Sequence, residues 1–168
     1  MGAPHAAITG NFAVITNHTL RLDENLGFVN VDSSAVGKNQ LVIMDLRTLK
    51  VTDNLQLDAS PWLAKSVHNS DRVIVGLSTG WLVIKIDADG RIIKQVYSPF
   101  DVSVVSFDID SNGGSILAGI QDRSGDWWLT KYLLRDDDTV VLEGRTKTNK
   151  FSQPLGATEG SVLLGAQI

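Results

Sequence analysis

The sequence predicts an all-β fold assembled from repeated four-stranded units. Three observations carry that expectation. Short runs rich in Val, Ile and Leu, bounded by Gly, Asn, Asp and Ser, recur about every ten residues. Helical periodicity is nearly absent, and the best helical candidate, "SPWLAKSVHNS" at 60–70, is short. Three runs share one form: "VIVGL" at 73–77, "ILAGI" at 116–120 and "VLLGA" at 162–166. Their glycines, Gly76, Gly119 and Gly165, lie 43 and 46 residues apart.

Taken in order, the candidate strands are "AAITG", "FAVITN", "TLRLDE", "GFVNVD", "QLVIMDL", "NLQLD", "RVIVGLS", "WLVIKID", "IIKQVYS", "VSVVSFD", "SILAGIQ", "WWLTKYLL", "TVVLEGR" and "SVLLGAQ". After the first two glycine-bearing runs a polar turn leads into an aromatic-led strand, "STGWLVIKID" and "QDRSGDWWLTKYLL". An acidic turn and one more strand follow each, "DADGRIIKQV" and "RDDDTVVLEG". "QLVIMDLRTLKVTDNLQL" fits the same strand-turn-strand slot one repeat earlier. A period in the forties with four strands per unit matches a blade of a β-propeller. A β-sandwich or barrel of the kind found in virion proteins is the alternative architecture.

The segment "VVSFDIDSNGGSILAGIQDRSGDWWLTKYLLRDDDTVVLEG" resembles one blade of a WD-repeat or YVTN-type β-propeller. "LVIMDLRTLKV" is similar to the end of a blade's third strand, with Asp45 where the Asp of the Trp-Asp dipeptide would stand. No Trp-Asp dipeptide and no Gly-His pair occur, so the resemblance is to a divergent propeller and covers about residues 40–145. It implies a fold and no particular activity.

The 168 residues form one β domain in this reading. Blade one covers roughly 18–57, blade two 58–98 and blade three 99–145. The C-terminal "FSQPLGATEGSVLLGAQI" supplies two inner strands of a fourth blade, and "HAAITGNFAVITN" supplies its two outer ones, so the termini close the ring. The other arrangement pairs these half-blades with another copy or another chain, which would equally cover open sheet edges.

Composition excludes several classes. With 43% hydrophobic and 20% charged residues the chain is ordinary for a globular protein. A net charge of −4 and the lack of a basic run argue against nucleic acid. There are no cysteines, hence no disulfides or thiolate sites. No apolar run approaches 18 residues and "MGAPHAAITGNF" has no signal-peptide pattern, so no membrane insertion is expected and the compartment is cytoplasm or virion.

Candidate sites are few. Asp108, Asp110 and Asn112 alternate before Gly113, like the first half of a calcium loop. The positions that would complete such a loop are Ile116 and Gly119. The plainer reading is a strand-to-strand turn, because Asn-Gly and Asx side chains favour one. The triplet Asp136, Asp137 and Asp138 reads as a solvated turn or a cation site. His5, His18 and His68 have no metal-ligand spacing. No nucleophile elbow or phosphate loop is present.

The aromatics Trp62, Trp81, Trp127 and Trp128 are candidate interaction residues for a protein partner or a glycan, or else packing between sheets. Adjacent Trp127 and Trp128 must face opposite sides of one strand. The polar stretch "SSAVGKNQ" at 33–40 reads as a surface loop.

The sequence therefore points to a non-enzymatic structural or interaction module within a larger assembly such as a virion or phage tail, partnered by protein or by its own copies. A lectin-like propeller is the alternative. A hydrolase-like propeller with an axial site near Lys65, Asp108 and Arg123 is the third reading. No cofactor is expected beyond weak calcium at Asp108.

Overall fold

A computed structural model describes residues 5–17, 20–22, 28–30, 39–148, 152–158 and 161–166. The strands are β1 (Ala6–Thr9), β2 (Phe12–Asn17), β3 (Leu20–Leu22), β4 (Phe28–Asn30), β5 (Gln40–Asp45), β6 (Lys50–Gln56), β7 (Pro61–Ser66), β8 (Arg72–Leu77), β9 (Gly80–Ile86), β10 (Ile92–Pro99), β11 (Val102–Ile109), β12 (Ser115–Asp122), β13 (Trp127–Leu134), β14 (Val140–Thr148), β15 (Ser152–Thr158) and β16 (Ser161–Ala166).

They form three four-stranded antiparallel sheets: β1-β2-β5-β6 (sheet 1), β7-β8-β9-β10 (sheet 2) and β11-β12-β13-β14 (sheet 3). Two hairpins, β3-β4 and β15-β16, complete the described strands. The first strands β1, β7, β11 and β15 neighbour one another in turn, while the last strands β6, β10 and β14 lie mostly exposed. Successive four-stranded sheets stacked face to face around their first strands are the blades of a β-propeller.

The glycine-bearing runs fall on β8, β12 and β16, the second strand of each unit. Blade boundaries differ from the sequence expectation at the N-terminus. "HAAITGNFAVITN" does not supply the outer strands of a closing blade. Its strands β1 and β2 are the inner half of sheet 1, with β2 in full register against β5. "TLRLDE" and "GFVNVD" give the separate hairpin β3-β4, inserted between β2 and β5. The reason is burial: Phe12, Val14 and Thr16 on β2 meet Asp45, Ile43 and Leu41 on β5, and all six are buried. Among the described residues, β15 and β16 pair only with each other. The helical candidate at 60–70 is strand β7. Of the 33–40 loop, residues 33–38 lie outside the described residues, as does His18.

Sheet 2 is buried on both faces, which explains its continuous apolar runs. Val73, Val75, Leu77, Leu82, Ile84 and Ile86 pack on Ala7, Phe12, Val14, Leu41 and Ile43 of sheet 1. The alternate residues Ile74, Trp81 and Val83 pack on Val104, Phe107, Ile116 and Tyr132 of sheet 3. Gly76 is required by this second contact, since a Cβ there would stand 2.7 Å from Val104 Cγ1.

Four hairpin turns share one geometry, at 87–90, 110–113, 122–125 and 135–138. In each, the fourth residue donates its N–H to the first residue's carbonyl and has positive φ. Three of these fourth residues are Gly90, Gly113 and Gly125; the other is Asp138, at φ 74°. The stretch after Asp108 is thus a turn. The Asp110 carboxylate accepts the Ser115 N–H at 3.0 Å, and Lys65 Nζ lies 2.7 Å from Asp108 Oδ1. An ammonium therefore occupies the charge that calcium would need. Asn112 is exposed in the turn. Asp45, at the position compared with the Trp-Asp motif, caps its own turn by accepting from Arg47 N, Nε and Nη2.

Candidate functional site

A recess lies in the wedge between sheets 2 and 3, at the end carrying the 122–125 turn. A cavity of about 620 Å³ is bordered by Thr79, Tyr97, Phe100, Asp101 and Arg123. An adjoining one of about 480 Å³ reaches inward to Ile120, Thr130, Tyr132, Leu142 and Arg145.

Strand parity builds its wall. On β13, Trp128, Thr130 and Tyr132 share the face turned to sheet 2. Their cross-strand partners on β12 are Ile120, Ala118 and Ile116, and on β14 Lys147, Arg145 and Leu142. Trp128 Nε1 donates to Asp122 Oδ2 at 2.8 Å. Asp122 Oδ1 accepts from Ser124 N, Ser124 Oγ and Asp126 N. The Ser124 hydroxyl first, and then the Trp128 indole, hold the Asp122 carboxyl down at about 2, so it is ionised throughout the physiological range. The Arg145 guanidinium stands 4.3 Å above the Trp128 ring, and Lys147 Nζ lies 5.8 Å away. Arg123 pairs with Asp101 at the rim.

Beneath the wall is an aromatic cluster. Trp81 meets Phe107 and Tyr132 edge to face, with centroids 5.0 and 5.2 Å apart, and Phe100 meets Tyr132 in the same way. Burial pushes the Tyr132 phenol up to about 12. The Trp81 indole and the Thr130 hydroxyl are buried beside the Tyr132 hydroxyl, and both pull its pKa down against the larger effect of burial.

Of the sequence candidates, the structure brings Trp128 into this site and moves Trp81 out of contention as an interaction residue. Trp81 has no exposed surface, because sheet 2 is covered on both faces and parity on β9 turns this side chain toward sheet 3. Trp127 is half-buried on the opposite face of β13, in register with Gln121 and Thr148. Trp62 is half-buried on β7. Lys65 and Asp108 meet, but Arg123 lies at the far end of β11 beside Asp101, so the three do not form one axial site.

The acidic triplet is also corrected. Asp136 and Asp137 are exposed, but Asp138 is 1% exposed and is held by Arg72, Lys85 and Lys94 of sheet 2. Burial pushes its carboxyl up, Lys94, Arg72 and Lys85 together pull harder, and it sits below the usual range. Among the described residues no group of three His, Asp or Glu side chains could hold a metal ion. No helix among them is long and apolar enough to cross a membrane.

Asp122, Thr130, Tyr132 and Arg145 were not singled out from sequence. The signal available was the alternation in "WWLTKYLL", where polar Thr130 occupies a core-facing position.

No known family model matches the chain, and no curated protein matches it in sequence. Similarity to solved structures is in the fold. Hydrazine synthase of Kuenenia stuttgartiensis superposes with a TM-score of 0.61 at 13% identity, over 89% of this chain and 38% of that one. A hypothetical selenium-binding protein from Sulfolobus tokodaii gives 0.58 at 12%, over 82% and 36%. A protein from Lactobacillus plantarum gives 0.52 at 11%, over 88% and 58%. The chain thus spans less than two thirds of each of these three.

Proposed function

We propose that this chain is a non-enzymatic interaction module whose outer sheet face docks onto another protein subunit in a larger assembly. One observation carries this reading. The face of sheet 1 turned away from sheet 2 has the apolar cross-strand row Ile8–Ala13–Met44–Val51, with Ala6, Ile15 and Val42 beside it. Of these, Ala6, Ile8 and Val51 are exposed, Ile15, Val42 and Met44 are half-buried, and Ala13 is buried. Ile8 is 60% and Val51 55% exposed, although both are large hydrophobic residues. In sheets 2 and 3 the corresponding face is covered by the preceding sheet, so the surface suits a partner that presents a further sheet.

The partner can be a second copy or a different protein. A virion or tail component is the setting this reading favours. Light scattering of the purified chain, with Ile8→Asp and Val51→Asp as variants, tests it. The expected result is a mass above the monomer that both variants reduce without altering the circular dichroism. A monomer at every concentration that also recruits no subunit from its native source overturns it.

A further inference from the structure

We propose that the wedge between sheets 2 and 3 is a binding site for a small organic monocarboxylate, gripped by Arg145. The first support is charge. Four charged residues line the inner cavity: Asp101, Asp122, Arg123 and Arg145. Arg123 is paired with Asp101. Asp122 is spent on Trp128, Ser124 and Asp126. Arg145 forms no ion pair with any described residue and rests on the Trp128 ring. A guanidinium over an indole face engages the ring through its charge, and its N–H fork matches a carboxylate. The two carboxylates nearby disfavour a dianion such as phosphate.

The second support is a comparison of equivalent positions. In the wedge between sheets 1 and 2, the row Ala64–Val75–Leu82–Tyr97 lines the matching place, with Ile84 as the next core-facing residue of β9. In sheet 3 the row is Phe107–Ala118–Thr130–Arg145, with Tyr132 next along β13. Sheet 3 thus has Thr130 and Tyr132 where sheet 2 has Leu82 and Ile84. A buried hydroxyl costs more to keep than a methyl group, and Thr130 Oγ1 is fully buried directly across from Arg145, with the Tyr132 hydroxyl beside it. Packing alone would favour valine there. The polar choice fits a ligand that receives a hydrogen bond when the wedge is occupied. Phe100, Val102, Ile120 and Leu142 supply an apolar wall for the ligand's body, and about 480 Å³ suits a small molecule.

Benzoate and hexanoate are suitable probes, followed by calorimetry and by the indole N–H resonances of the uniformly labelled chain. Saturable binding that moves the Trp128 resonance is expected. Arg145→Gln, an exposed and foldable change, should weaken it about tenfold or more. Thr130→Val should raise the melting temperature while weakening binding about threefold. Benzyl alcohol and inorganic phosphate should bind at least about tenfold more weakly than benzoate. The proposal is overturned if neither carboxylate binds saturably, if Arg145→Gln binds like the wild type, or if phosphate competes equally.

Discussion

Sheets 1 and 2 meet across a contact that is aliphatic apart from Phe12, and sheets 2 and 3 across one built on an aromatic cluster. The two interfaces share one sheet, one strand order and one type of hairpin turn, yet each turn plugs its neighbour differently. The turn at 87–90 presses Gly90 onto sheet 1, where Thr52 Oγ1 donates to the Gly90 carbonyl at 2.9 Å and a Cβ would stand 2.5 Å from the Phe12 ring. The turn at 135–138 puts Asp138 in the glycine position, at a φ that costs a non-glycine residue about 1 kcal/mol. Its carboxylate is then held by three cations of sheet 2, while Arg72 and Lys94 also donate to the carbonyls of Asp136 and Asp137. A repeat can keep its geometry while exchanging steric closeness for charge, provided each turn still satisfies its backbone.

Adjacent residues of β9 break the comparison most directly, since Trp81 serves the aromatic interface and Leu82 the aliphatic one. Trp81→Ala should destabilise by about 3–5 kcal/mol, more than Leu82→Ala, because it removes two edge-to-face contacts as well as volume. Urea denaturation of both variants measures this, and equal losses would show the aromatic cluster adds nothing beyond burial.

The plugs come next. Gly90→Ala combines positive-φ strain with a clash against Phe12 and should cost about 2–4 kcal/mol. Asp138→Asn should cost about 2 kcal/mol at neutral pH, a buried-pair penalty discounted for the partial exposure of Arg72, Lys85 and Lys94. Added salt should shrink the second loss and leave the first unchanged.

Acid sharpens the contrast further. The folded-state pKa of Asp138 lies below its ordinary value of 3.8. Its contribution is therefore complete above that value and lost as pH falls through the folded-state pKa. Melting temperature against pH should drop more steeply below about pH 4 for the wild type than for Asp138→Asn; parallel curves would show that the cluster carries no stability. The smallest effect is at the 110–113 turn. Asp110→Ala should cost about 1 kcal/mol through the lost Ser115 bond, and millimolar calcium should leave the melting temperature unmoved.

Much of this architecture is legible in the chain. The glycine-bearing runs mark the second strand of successive units, and "DADG" and "SNGG" mark turns, because both signals are local. The burial of Trp81 and the half-exposure of Trp128 were not legible, since two aromatic-led strands look alike until cross-strand register fixes their parity. Nor was the Asp138 cluster, whose partners lie 44 or more residues earlier on three strands of the neighbouring sheet. Lys65 and Asp108 meet because they occupy equivalent places on consecutive first strands, one repeat apart.

The sequence by itself determined an all-β repeat with its turn chemistry, because alternation, strand length and positive-φ residues are properties of short segments. Tertiary structure alone decided which hairpin joins sheet 1, which face of sheets 2 and 3 is covered, and that Arg145 is left over Trp128 without a carboxylate among the described residues. Those outcomes depend on how whole sheets stack. Burial and charge pairing between sheets are settled by groups that the chain brings together only after every strand has found its register.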